Sequence, residues 1–304
     1  MSKTNADFVR LAEQIQVACK GAGTDEAKII DVICQCTPDE LFEVTKAFYC
    51  CYGKDLSTVI KKETSGKLED LLLACFEPRY KFWATQLKKA IKGMGTDERT
   101  LAELIFMADE NDMKEISNAY FRLFKAQMVE DVADDLSKNP FSRLIKAWMC
   151  QTRFDRNQAQ QDATTMTQAI KGAGTDEQAV IRMLCTSTSK EYAQIAQIYE
   201  QNNKKSLRDA IKGDFAGKAE YAFLLAHDFL IAGAQACAFI LHKSMKGAGT
   251  KEVNMINAAA LFRDRYRSVV NEYYPKFSGS LAKDIKSDFS GNMEKSLLLI
   301  WDAK

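Results

Sequence analysis

Lys20-Gly21-Ala22-Gly23-Thr24-Asp25-Glu26 returns three times along the chain. The copies are Lys92-Gly93-Met94-Gly95-Thr96-Asp97-Glu98, Lys171-Gly172-Ala173-Gly174-Thr175-Asp176-Glu177 and Lys246-Gly247-Ala248-Gly249-Thr250-Lys251-Glu252. Their first glycines stand 72, 79 and 75 residues apart. A period of that size over 304 residues means that one structural unit is used four times. Units of roughly 70 residues depend on their neighbours for burial. The expected repeats are residues 4–76, 77–150, 162–230 and 231–304, and the polar connection 151–161 is expected to divide the chain into halves.

Around each loop the apolar residues keep helical spacing. Six and two residues before the first glycine stand Ile15 and Cys19, Leu87 and Ile91, Met166 and Ile170, Leu241 and Met245. Eight, nine, eleven and twelve residues after Gly21 stand Ile29, Ile30, Val32 and Ile33, with apolar counterparts in the other repeats. A helix therefore runs into each glycine loop and another runs out. The loop threonine is the expected N-cap of the second helix, with acids in its first turn; Lys251 breaks that pattern. In the first repeat Thr37-Pro38-Asp39-Glu40 opens a third helix, Gly53 ends it, a short helix follows from Asp55 to about Glu63, and Gly66 precedes an apolar fifth. The fold class is all-α, with five helices per repeat.

Forty-two basic against 41 acidic residues give a net charge of +1, so no global field draws the chain to nucleic acid. The N-terminus lacks the apolar core of a signal peptide, and the longest uncharged run, residues 229–241, is 13 residues, too short to span a bilayer. The expectation is a soluble, cytoplasmic protein without a transmembrane segment that meets membranes from outside. Nine unevenly spaced cysteines read as reduced, buried thiols rather than a disulfide framework or a zinc cluster.

A Gly-x-Gly-Thr between helices needs no function by itself, but a carboxylate follows each one at a fixed distance. Glu63, Asp135 and Asp214 lie 42 residues after Gly21, Gly93 and Gly172, and Asp288 lies 41 after Gly247. Paired glycines let successive carbonyl oxygens point into one space. Carbonyls plus one carboxylate are hard oxygen donors of the kind Ca2+ accepts, whereas zinc prefers nitrogen or sulfur. Three carbonyls and a bidentate carboxylate leave about two of calcium's positions open, for oxygens of an anionic headgroup. Four such bridges would reinforce one another on a membrane. Ala22, Met94, Ala173 and Ala248, between the glycines, are the expected membrane contacts.

The fourfold Lys-Gly-x-Gly-Thr-[Asp/Lys]-Glu with its distant carboxylate resembles the annexin family over nearly the whole chain. The resemblance implies four five-helix repeats in a curved right-handed disc with calcium sites on its convex face. It implies ligands from the carbonyls of Cys19, Gly21 and Gly23 with Glu63; Ile91, Gly93 and Gly95 with Asp135; Ile170, Gly172 and Gly174 with Asp214; and Met245, Gly247 and Gly249 with Asp288. It also suggests secondary metal sites from the carbonyls of Thr24, Thr96, Thr175 and Thr250 with Glu26, Glu98, Glu177 and Glu252. As first-turn acids these glutamates also simply oppose the helix dipole.

The chain departs from that family in places. Many annexin repeats carry an arginine near the end of the second helix, where this chain has Cys36, Ala108, Ser187 and Phe262. Lys138 replaces the glycine that follows the carboxylate in the other repeats, a change expected to misdirect Asp135, with Asp134 as substitute. The expected order of sites is first and third, then fourth, then second. With few residues before the first helix, regulation through an N-terminal tail is not expected.

The functional expectation is calcium-dependent binding to anionic, phosphatidylserine-like membranes in organisation, trafficking or membrane–cytoskeleton linkage. The protein is expected to be a monomer in solution, with lateral assembly on membranes and a cytoskeletal partner left open. No enzyme motif is present, neither a P-loop nor His-Glu-x-x-His. The rival reading is a calcium-independent helical scaffold for protein or cytoskeletal partners, which would need no carboxylate at a fixed offset.

Overall fold

The structure, a computed structural model, describes residues 3–21, 23–92, 95–171, 174–246, 249–265 and 267–303. Among these residues there are twenty α-helices and no strand. The first five are α1 (Asn5–Ala18), α2 (Glu26–Gln35), α3 (Pro38–Tyr52), α4 (Leu56–Glu63) and α5 (Gly66–Phe76). The next are α6 (Arg79–Ile91), α7 (Glu98–Phe106), α8 (Glu110–Phe124), α9 (Met128–Asp135) and α10 (Pro140–Met149). Then come α11 (Ala159–Lys171), α12 (Glu177–Thr186), α13 (Ser189–Asn203), α14 (Leu207–Asp214) and α15 (Gly217–Ile231). The last are α16 (Gly233–Met245), α17 (Glu252–Phe262), α18 (Val269–Phe277), α19 (Leu281–Asp288) and α20 (Gly291–Ile300).

Local chemistry explains the boundaries. At α3 the Thr37 hydroxyl accepts from the Glu40 amide at 3.2 Å while the Glu40 carboxylate accepts from the Thr37 amide at 2.9 Å, a reciprocal capping box. Pro38 sits at the first position, where its missing amide costs nothing. The helix ends at Gly53 in the left-handed region, φ 62°. Lys125, Lys204 and Ser278 end α8, α13 and α18 in the same conformation without glycine's freedom.

The chain divides into two compact units. One unites Met1–Phe82 with Ile240–Lys304, and the other is Trp83–Phe239. In the first, α1 packs on α2 and α3, α5 on α17, and α2 on α20, burying Leu11, Ile15, Ile29, Leu72, Phe262 and Trp301. In the second, α7 packs on α15 and α10 on α12, around Trp83, Phe106 and Trp148. Trp83 donates its indole N–H to the Leu104 carbonyl at 2.9 Å, and Trp148 stands edge-on to Phe106 at 5.2 Å.

The expectation that residues 151–161 split the chain into halves is corrected by this division, because that segment lies wholly inside the second unit. Its polarity has a local cause. Arg153 donates to the carbonyls of Leu184 and Ser187 at 2.6 and 2.8 Å, and Arg156 donates to the Ser187 hydroxyl at 2.7 Å and pairs with Asp162 at 2.9 Å. Arg153 thus satisfies carbonyls at the end of α12, and Arg156 ties the segment to the Ser187 side chain and to Asp162.

The nine cysteines form no disulfide, and Cys36, Cys75, Cys185 and Cys237 are buried. Cys50, Cys51 and Cys150 are exposed, against the expectation of buried thiols. Cys50 and Cys51 lie in the last turn of α3, where an apolar neighbour in sequence belongs to another face of the helix.

Candidate functional site: four glycine loops and their carboxylates

Each loop joins the first helix of a repeat to the second. In all four a backbone hydrogen bond closes it: the amide of Asp25 donates to the Ala18 carbonyl at 2.9 Å, Asp97 to Ala90 at 2.8 Å, Asp176 to Ala169 at 3.0 Å and Lys251 to Ser244 at 2.8 Å. Within the first loop Gly21 and Gly23 have φ of 112° and 102°, and Gly95, Gly174 and Gly249 have 98°, 106° and 88°. A Cβ at these glycines would meet nothing within 4 Å, so backbone conformation and not space demands glycine. Among the described residues, no backbone amide donates to the carbonyls of Cys19, Gly21, Gly23, Ile91, Gly95, Ile170, Gly174, Met245 or Gly249. Gly93, Gly172 and Gly247, and the expected membrane contacts Ala22, Met94, Ala173 and Ala248, lie outside the described residues.

The distant carboxylates are brought to the loops in every repeat. The Thr24 hydroxyl donates to Glu63 Oε2 at 3.0 Å, and Thr250 donates to Asp288 Oδ2 at 3.0 Å. Thr96 reaches Asp135 and Thr175 reaches Asp214 in the same way. Asp135 is thus delivered as the others are, and Lys138 does not misdirect it. The chain accommodates the lost glycine afterwards: α10 starts at Pro140 with Asn139 as cap, its side chain accepting from the Ser142 amide at 2.9 Å. No contact joins Asp134 to the loop among the described residues.

This threonine role corrects the sequence expectation. The N-caps are the following residues, Asp25, Asp97 and Asp176, each accepting from an amide in the first turn at 3.1 Å. Lys251 occupies the fourth N-cap without a capping side-chain bond. A carboxylate at the cap satisfies an orphan amide and the positive helix end better than a hydroxyl, which frees the threonine to hold the distant acid.

Electrostatics at each loop favour a cation. Glu63, Asp135, Asp214 and Asp288 are the last residues of α4, α9, α14 and α19, where a negative charge adds to the negative end of the helix dipole. The loop itself begins at the carbonyl end of α1, α6, α11 or α16. Burial, with the nearby charge of Glu63 adding to it, pushes the Cys19 thiol up to about 11. No group of three His, Cys, Asp or Glu side chains gathers around one point among the described residues, so the remaining donors at each loop are carbonyl oxygens. That donor set fits a hard divalent ion such as Ca2+.

The secondary glutamates are not equivalent. Glu252 pairs with Lys67 at 3.3 Å, Glu98 with Lys218, and Glu177 with Arg143. Lys67 and Lys218 directly follow Gly66 and Gly217; the residue that follows Gly291 is Asn292. Glu26 and Asn292 face one cleft of about 460 Å³ shared with Glu63, and among the described residues no ion pair reaches Glu26. Sequence reading missed these pairs, since nothing in a 70-odd-residue period reveals which repeats touch.

The histidines serve packing. His227 is buried against the Tyr192 hydroxyl at 2.9 Å, while the adjacent Asp228 faces Arg208 at 2.8 Å. His242 stacks on Phe277 with ring centroids 4.0 Å apart.

A fourfold all-α repeat whose glycine loops each receive a carboxylate from a later helix defines a class of protein built around repeated oxygen-donor loops. The annexin family model matches residues 10–75, 82–148, 161–226 and 235–300, and the chain belongs to the annexin family. It is 33% identical to human annexin A13 across 97% of this chain and 95% of that one, and 32% identical to rabbit annexin A8 across 94% and 90%. Among solved structures, annexin III matches with a TM-score of 0.82 and 29% identity over 98% of this chain and 94% of that one. Chicken annexin V in complex with Zn2+ matches with a TM-score of 0.84 and 27% identity over 100% and 98%. The calcium-bound alpha-14 giardin has the same fold, with a TM-score of 0.90 at 24% identity over 97% and 99%. Annexins in general bind phospholipid in a calcium-dependent way and are not enzymes. No helix among the described residues is long and apolar enough to cross a membrane.

Proposed function

We propose that this chain binds anionic phospholipid membranes peripherally, with Ca2+ held at the four glycine loops as a bridge to phosphatidylserine-like headgroups. The observation that carries the reading is the threonine-to-carboxylate bond in every repeat, which seats one acid beside loop carbonyls that accept no backbone amide among the described residues. Proposed ligands are the carbonyls of Cys19, Gly21 and Gly23 with Glu63, and their counterparts with Asp135, Asp214 and Asp288. Calcium supplies charge that the loop lacks: it offsets the acid and two helix C-termini, and open coordination positions accept headgroup oxygens. Because Asp135 is seated like the rest, we place the second loop level with the others. Of the secondary sites, Thr24 with Glu26 is the one we retain, since lysine or arginine already answers Glu98, Glu177 and Glu252. A cytoplasmic chain attached only when calcium rises, serving membrane organisation, trafficking or a cytoskeletal link, is the role this chemistry suits.

The test is co-sedimentation with phosphatidylserine vesicles in calcium and in chelator. Binding in calcium alone supports the reading. Equal binding in both conditions would point to the calcium-independent scaffold instead.

A further inference from the structure

Away from the loops, the first unit holds a buried guanidinium with an unused edge. Arg263, directly after α17, is only 5% exposed. Its Nη1 donates to the carbonyls of Ala259 and Ala260 at 3.2 and 3.0 Å, while Nε and Nη2 are buried and have no hydrogen-bond partner among the described residues. Those two N–H groups form one side of the planar fork, the side that takes two oxygens of a carboxylate or phosphate at once. Buried charged donors left unpaired are costly and call for a partner.

The partner has a place to sit. Arg263 lines a cleft of about 320 Å³ with Cys34, Cys36, Asp264, Arg267 and Asp302. Asp264 is engaged by Arg79, and among the described residues no ion pair joins it to Arg263. The lining carries two guanidinium groups, Arg263 and Arg267, beside Asp264 and Asp302, and Arg79 outside it already answers the Asp264 charge. Burial raises the Cys34 and Cys36 thiols to about 11, so neither presents a thiolate to an incoming anion at neutral pH. We infer that this cleft binds a phosphate group, gripped bidentately by Arg263 Nε and Nη2 with Arg267 as the second cation at the rim. Two guanidinium groups suit a dianion better than a single carboxylate.

The experiment is done in chelator, which silences the glycine loops. Inorganic phosphate is titrated into the full chain by calorimetry, beside Arg263→Lys, which keeps the charge and loses the fork, and Arg267→Gln. The expected result is one saturable site, weakened about tenfold or more by Arg263→Lys and less by Arg267→Gln. A second readout needs no variant: phosphate slows alkylation of Cys34, and leaves exposed Cys150 unchanged, relative to chloride at matched ionic strength. Phosphatidic acid vesicles against phosphatidylcholine vesicles, again in chelator, separate the two sources. Vesicle binding lost in Arg263→Lys assigns the phosphate to a lipid, and binding of free phosphate alone assigns it to a soluble molecule. Absence of saturable phosphate binding with unchanged Cys34 labelling, or full affinity in Arg263→Lys, overturns the inference.

Discussion

Asp214→Asn in the third loop separates a ligand from a structural residue. The side chain is exposed at the last position of α14 and accepts from the Thr175 hydroxyl, a bond that asparagine's carbonyl oxygen can still accept. A carboxylate about 3 Å from a divalent ion contributes about 3 kcal/mol at the dielectric of water. Its loss weakens that one site by about 100-fold. If four sites hold the membrane in concert, the calcium midpoint of vesicle binding moves by the fourth root of that factor, about threefold, and the curve becomes shallower. In chelator the sign reverses. Removing a negative charge from a helix C-terminus relieves about 0.3–1 kcal/mol of dipole repulsion, so the apo protein gains about 1–2 °C in Tm. Calcium titrations of vesicle co-sedimentation, and thermal melts in chelator, measure the two effects. An unmoved midpoint together with a lowered apo Tm would refute the reasoning, because it would make Asp214 a structural acid.

Other tests address the framework. Lys204→Gly relieves a left-handed conformation at φ 55° and is expected to raise stability by up to about 1 kcal/mol by chemical denaturation. Trp148→Ala empties the space beside Phe106 and Phe229 and costs about 3–5 kcal/mol on the same assay. Lys218→Gln releases Glu98, and calorimetry should then register an extra weak calcium-binding event that the parent lacks. Asp131 is held below the usual carboxylate range by the Lys88 ammonium and the Tyr120 hydroxyl. A depressed folded pKa gives stability that is present above about pH 4 and lost as pH falls further, so Asp131→Asn should flatten the acid limb of a stability–pH curve.

Helices and loops were legible because offsets such as Ile29, Ile30, Val32 and Ile33 repeat in each unit and need no tertiary information. The carboxylates were legible for the same reason, since a fixed distance of 42 residues survives four copies. Thr24 was misread as a cap because Thr and Asp both cap helices, and periodicity places a boundary only to within a residue or two. The linker was misread because polarity reports contact with charged partners such as Glu191 as readily as contact with water. Which repeats touch was not legible, because all four present similar apolar faces. Arg263 escaped notice because one arginine among 42 basic residues carries no signal until its surroundings are known.

The first unit is assembled from the two ends of the chain, Met1–Phe82 and Ile240–Lys304, while the second, Trp83–Phe239, is continuous. During synthesis the opening segment must therefore wait for its partner while 157 residues are made. At about 5–20 residues per second that delay is about 8–30 s. Through that interval α2 lacks α20 and α5 lacks α17, so the apolar faces carrying Ile29 and Leu72 stand uncovered on the nascent chain. The order of translation thus makes the second unit the first to complete, and gives a chaperone a defined window on the N-terminal helices.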